Sequence, residues 1–258
     1  MGVPMLGCRC AVCTSSDPRD SRLRPSIMLR WKEPQDDPNE SDRERVVIID
    51  TGPDFRAQAL RVGLTRVDAV LYTHGHADHI FGMDDLRPLS FAVYREGAPV
   101  LLYASEKTTE ILTRVYDYTF SPDATYAYRP RVELRPLLAE NFVFGVRFLR
   151  VPIQHGTLRI VGYRFGRVAY LTDVSDIPEE SFSLLEGLDH LIISSLRHRP
   201  HPSHSTLAQA RAFAERIGAR HTWFTHIAHE LGHAETERSL PETMRMAYDG
   251  LSFPVELG

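Results

Sequence analysis

The chain has 258 residues, 43% apolar and 25% charged, a balance that excludes disorder and fibrous repeats and fits one large or two small globular domains. Its 30 Lys and Arg against 34 Asp and Glu leave a formal charge of −4, so there is no general basic field to hold nucleic acid. No apolar run approaches the ~20 residues of a bilayer span and nothing near Met1 resembles a signal segment, which points to the cytoplasm and away from a membrane partner.

Residues 2–26 show no hydrophobic period and end in the charged stretch SSDPRDSRLRPS, so they read as a loop. IMLRW and RVVIID read as strands flanking a polar, Pro-interrupted hairpin loop, PQDDPNESDRE. A helix is expected from Pro53 to Arg61, with Phe55, Ala59, Leu60 and Val62 on one face and Gly63 as the stop. VDAVLYT is a buried strand; helical turns to Leu89, the strand PVLLYA, a helix from Ser105 to about Tyr116 and an irregular stretch to Arg135 follow. FVFGVRFLRVPI, RIVGYRF and RVAYLTD read as three successive strands, and DHLIISSL as another. A helix from about Ser205 to Ile217 buries Leu207, Ala210, Phe213, Ala214 and Ile217; the strand HTWFTH and a tail of short helices with the run LSFPVEL complete the chain. Without a repeat or a separating linker, residues 1–258 are expected to form a single domain of two packed sheets with helices on their outer faces.

Two composition features carry chemistry: twelve His, and three Cys confined to positions 8, 10 and 13. His74-Gly75-His76-Ala77-Asp78-His79 sets three imidazoles and a carboxylate directly after a buried strand. A loop leaving a sheet end can aim such groups at two points, His74 and His76 at one ion, Asp78 and His79 at another, with Gly75 allowing a tight fold between ligands. One such His would be an ordinary exposed residue; four ligand-type residues at this spacing point to Zn, Mn or Fe. Cys8-Arg9-Cys10-Ala11-Val12-Cys13 suits one tetrahedral zinc completed by a ligand from elsewhere, or three reduced thiols without a metal. Arg87, just after the metal loop, is a candidate phosphate contact, though surface Arg is common.

THGHADH resembles the HxHxDH motif of metallo-β-lactamase-fold hydrolases. The resemblance implies an α/β fold, a four-layer αββα sandwich, with a two-metal site at one edge of its sheets. It further implies that His155 in VPIQHG, Asp173 in YLTD and His226 in WFTH are ligands: His74, His76 and His155 on one metal, Asp78, His79 and His226 on the other, Asp173 between them. Two such ions activate a shared water and clamp the oxygens of an in-line displacement, so ester hydrolysis needs no Ser or Cys nucleophile. Asp50 in IIDTG resembles the carboxylate that orients a metal-bound His, and could equally cap the following helix.

The Cys trio resembles one branch of that family, the phosphoribosyl cyclic phosphate phosphodiesterases of bacterial phosphonate degradation. This implies a structural zinc completed by His229, three residues after His226, and makes residues 1–26 a structural-zinc loop. It also makes His204 in RPHPSHST the proton donor to the leaving group, with His198 and His201 as competitors and Ser203 or Ser205 as the helix cap. Asp78 and His204 are then the catalytic residues, and the partner a small phosphate ester, such as a cyclic ribose phosphate. Family members open with an apolar strand and a Gly/Thr/Ser-rich turn absent ahead of Met1-Gly2-Val3-Pro4. Either the fold lacks its first strand, leaving a sheet edge on which a homodimer could form, or the natural start lies upstream. Two other functions compete. A tRNA 3′-processing endonuclease shares the SHSTLAQA style, against which stand the acidic balance and the lack of a basic arm; a non-catalytic metal- or partner-binding relative shares the CxCxxC.

Overall fold

The computed structural model describes residues 2–33, 43–123 and 127–257. The polar hairpin loop expected after Glu33 lies outside the described residues over 34–42. Contacts divide the chain into two compact units, Ser26–Gly145 and Met1–Pro25 with Val146–Gly258.

In the unit Ser26–Gly145, β1 (Ile27–Glu33) pairs antiparallel with β2 (Arg43–Ile49), and β3 (Ala69–Leu71), β4 (Val100–Ala104) and β5 (Val132–Pro136) add in parallel, in the order β1-β2-β3-β4-β5. Parallel neighbours need crossovers, and these supply the helices α1 (Phe55–Arg61), α2 (Ala77–Ile80), α3 (Arg87–Tyr94), α4 (Glu106–Val115) and α5 (Asp117–Phe120). The core joins Val46, Ile48, Val70, Leu102 and Ala104 of the sheet to Phe55, Val93 and Leu112 of the helices. On α1 the expected apolar face is only half realised, because Leu60 and Val62 lie at its solvent end, 65% and 45% exposed. β5 falls within the stretch expected to be irregular: it is a short edge strand with no fully buried residue, and the alternation of Val132 and Leu134 with Glu133 and Arg135 spans only four residues. The run expected as one strand from Phe142 is two, β6 (Glu140–Val143) and β7 (Val146–His155), because Phe144 and Gly145 both take positive φ between them.

In the other unit, β7, β8 (Leu158–Phe165) and β9 (Val168–Leu171) form an antiparallel meander, continued in parallel by β10 (His190–Ser194), β11 (His221–Thr225) and β12 (Met244–Met246). α6 (Glu179–Phe182) and α7 (Leu207–Ile217) precede β10 and β11, and α8 (His233–Arg238) precedes β12. β12 was not expected, being three residues long. Leu207, Ala210 and Ala214 of α7 pack on Val151, Leu171, Leu191, Ile193 and Phe224 of the strands. Neither Ser203 nor Ser205 caps α7. Thr206 does: its side chain accepts the Gln209 N–H and the Gln209 side chain returns to the Thr206 N–H, a reciprocal capping box. Ser205 instead donates to the Val174 carbonyl at 2.8 Å. Among the described residues no helix is long and apolar enough to cross a membrane. Replacing Thr206 by Ala removes the cap and should lower stability by about 1 kcal/mol in urea unfolding; an unchanged midpoint would contradict the capping role.

Candidate metal centre

Asp50 follows β2 directly with φ 65°, a left-handed backbone that costs a non-glycine residue roughly 1 kcal/mol and persists only where other contacts hold it. Those contacts are present. Its Oδ1 accepts the Thr73 N–H at 2.8 Å, and Oδ2 accepts the Thr73 hydroxyl at 2.7 Å and faces His79 Nδ1 at 2.8 Å. Burial pushes the carboxyl up, opposed by His79 and Thr73. Because the Thr73 proton goes to Asp50, the Thr73 oxygen is left to accept from His74 Nδ1, 3.0 Å away. One carboxylate therefore sets Nδ1–H on His79 directly and on His74 through Thr73, and leaves the ligand lone pair on Nε2 of each ring. It does not cap α1, whose N-cap is Asp54 with no side-chain cap bond.

The three imidazoles of the loop are clustered: the His74 ring lies 4.5 Å from His76 and 4.2 Å from His79, and Asp78 Oδ2 is 3.8 Å from His79 Nε2. Thr51 N donates to His79 O and Gly82 N to Thr51 O, both at 2.8 Å, which ties the loop to the end of β2. At Gly75 an added Cβ would lie 2.5 Å from Ile111 Cδ1 on α4, so a side chain there would displace Ile111, a constraint separate from the expected tight turn. Arg87 opens α3 and donates to Asp84 at 2.6 Å, and Asp84 also accepts the Tyr118 hydroxyl, so this guanidinium is already paired with a carboxylate.

The other unit repeats the strand-end arrangement. Asp173 follows β9 with φ 58° and His226 follows β11 with φ 53°, while His155 is the last residue of β7. His155 Nδ1 donates to the Ser203 carbonyl at 2.6 Å, leaving Nε2 to face Asp173 Oδ2 at 3.7 Å. His226 Nε2 lies 3.3 Å from the other oxygen, Asp173 Oδ1. The two carboxylate oxygens thus address two different imidazoles, one of the arrangements open to a carboxylate shared by two ions. The His204 ring lies 4.7 Å from His155 and 4.9 Å from His226, and its buried Nδ1 has no hydrogen-bond partner. Burial pushes its pKa down to about 3, with His226, His155 and His201 adding to the effect and Asp173 opposing it. Of the competing histidines, His198 is exposed, whereas His201 lies 4.9 Å from the His204 ring and accepts the Ser203 N–H at Nδ1.

The thiols of Cys8, Cys10 and Cys13 and a ring nitrogen of His229 lie within 4.8 Å of one another. His229 Nδ1 is 3.2 Å from Cys8 Sγ and 3.4 Å from Cys10 Sγ. Each sulfur also accepts a backbone N–H, from Cys10, Cys13 and Met5 in turn. The Cys13 N–H, then His229 and the other thiols, hold the Cys10 thiol down to about 6, while burial pushes Cys13 up. Three sulfurs and one imidazole at this separation fit a tetrahedral zinc.

The profile of the beta-lactamase superfamily domain matches residues 45–227 of this chain. The chain belongs to the beta-lactamase superfamily. It has the metallo-β-lactamase fold. A crystal structure of a diphosphatase from the PhnP family is 49% identical, with a TM-score of 0.89 over 100% of this chain and 94% of that one. Coenzyme PQQ synthesis protein B of Methylobacterium nodulans is 32% identical over 74% of this chain and 68% of its own length. An octanoyltransferase of Porphyromonas gingivalis is 36% identical over 97% of this chain, yet the chain spans only 48% of that protein.

Sequence reasoning missed Thr73 and the Ser203 carbonyl. A hydroxyl directly before the first His of the superfamily motif was the only available sign of Thr73; a backbone carbonyl leaves none. Asp50→Asn and Thr73→Val should each lower affinity for divalent ions, Asp50→Asn by about 10- to 100-fold, in chelator competition on the folded protein. Unchanged affinity in Asp50→Asn would contradict the orienting role.

Proposed function

We propose that this chain hydrolyses a P–O bond in a small phosphoric diester with two divalent ions, one held by His74, His76 and His155, the other by Asp78, His79 and His226, with Asp173 shared. The observation that carries the reading is its 49% identity, over the whole chain, to a diphosphatase of the PhnP family. The division of the Asp173 oxygens between His155 and His226 supports it, and the set of Cys8, Cys10, Cys13 and His229 supports a separate structural zinc. Zn, Mn and Fe all suit the His and Asp donors.

When bound, a divalent pair supplies water acidified toward neutral pH and positive charge at the phosphoryl oxygens. The chain's own residues determine how that chemistry is used. Asp50, Thr73 and the Ser203 carbonyl hold His79, His74 and His155 in one tautomer each, so the donors need no reorganisation. Burial, with His226 and His155 beside it, pushes the His204 imidazole down to about 3. A phosphoryl group beside it stabilises the imidazolium, and the proton gained there passes to the departing oxygen. An alkoxide leaving group needs that proton more than a phosphate or nitrophenolate does.

The same relative favours a second reading within this chemistry, cleavage of a diphosphate linkage, whose leaving group is a phosphate. The deciding assay compares a ribose 1,2-cyclic phosphate, a nucleoside 2′,3′-cyclic phosphate, a dinucleoside diphosphate and a precursor tRNA on the metal-loaded protein. Turnover of a small diester with the tRNA intact is expected. Cleavage of the tRNA alone would make the chain a nuclease, and turnover of none would favour a binding role. His204→Ala should slow an alkoxide-releasing substrate by about 10²- to 10⁴-fold and a nitrophenyl ester far less; equal losses would contradict proton donation.

A further inference from the structure

Asp20 and Arg22 belong to a stretch that reads as a solvated loop, yet they are only 7% and 5% exposed. Arg22 Nη2 donates to Asp20 Oδ1 at 2.9 Å and to the Leu231 carbonyl at 2.7 Å, Nη1 to the Ala228 carbonyl at 3.2 Å, and Nε to the Arg19 carbonyl at 3.2 Å. The same Asp20 oxygen accepts the His233 N–H at 2.7 Å. The Arg22 backbone is itself fixed to Val3 by two hydrogen bonds of 2.8 and 2.7 Å, on the side of the Cys segment.

The pinned positions 228, 231 and 233 bracket His229 and begin two residues after His226. Between β11 and α8 the chain forms neither helix nor strand, so no regular ladder of hydrogen bonds holds it. Stability alone gives a weak reason for the pair, because apolar residues of similar volume in place of a buried ion pair are often as stable or more so. What a guanidinium fork supplies, and apolar packing does not, is one fixed arrangement of the carbonyls it binds.

We propose that Arg22 and Asp20 are a positioning pair that presets the 226–233 segment, so that His229 already faces the three thiols when an ion arrives. This rests on the reading of Cys8, Cys10, Cys13 and His229 as a metal site. Cobalt(II) titration tests both, since a thiolate-to-cobalt absorption band reports this site whatever the catalytic activity. The wild-type protein should show the band. Asp20→Leu/Arg22→Met, which removes both buried charges, should unfold near the wild-type midpoint but bind cobalt at least about tenfold more weakly. Arg22→Lys keeps a cation beside Asp20 without the fork and should also bind more weakly; if the double variant does not fold, it decides the question. Leu185→Ala, which opens a cavity in the buried core beside Leu188 and Leu191, should be less stable with wild-type affinity. Wild-type affinity in the folded pair variant, or in Arg22→Lys if that decides, would overturn the positioning role, as would an equal loss in Leu185→Ala. A wild-type protein without the band would overturn the metal-site reading and this inference with it.

Discussion

A carboxylate with no water contact must have its oxygens hydrogen-bonded, and at Asp50 that requirement organises the unit around it. The partners are the backbone and hydroxyl of Thr73 at the end of β3 and the ring of His79 on α2. Satisfying one buried charge thus brings two strand ends and a helix into a single relation and fixes the tautomers of His74 and His79. Removing any partner would leave a buried group uncompensated, so the geometry of the metal loop is coupled to the stability of the sheet edge below it.

Backbone strain follows the same groups. Among the described residues four non-glycine positions have positive φ, and three of them are Asp50, Asp173 and His226. Each lies just beyond a strand, where a left-handed residue turns the chain out of the sheet and redirects the side chain. The fourth, Phe144, lies in a turn between strands and carries no such group. Strain concentrated on acidic and imidazole side chains at strand ends is the pattern expected of a functional site. On a chain of net charge −4 the global charge attracts no anion, so the proposed chemistry on a phosphoric diester would depend on such local placement.

The candidate donor set was legible in the sequence because metal chemistry restricts residue type. Away from metal sites, imidazoles and thiols seldom crowd together as they do in the hexad His74–His79 and the Cys trio, and a family resemblance extended these to His155, Asp173, His226 and His229. Strands with long β-branched or apolar runs, such as β2, β8 and β10, were equally legible. What the sequence did not reveal acts through backbone atoms or through burial. Thr73 works by passing a hydrogen bond on, Gly75 by making room for a side chain from α4, and the capping residue of α7 by geometry one position away from two equally suitable serines. Asp20 and Arg22 were hidden for the opposite reason, since a run of charged residues reads as solvated and only the fold buries two of them.

The central claim is that two ions share Asp173 while a third sits apart on the thiolate site, and metal content per chain tests it most directly. Elemental analysis of protein purified without chelators should give about three divalent ions per chain, falling to about one in Asp173→Ala with the thiolate-bound ion retained. One ion or none in the wild-type protein, or an unchanged count in Asp173→Ala, would contradict it.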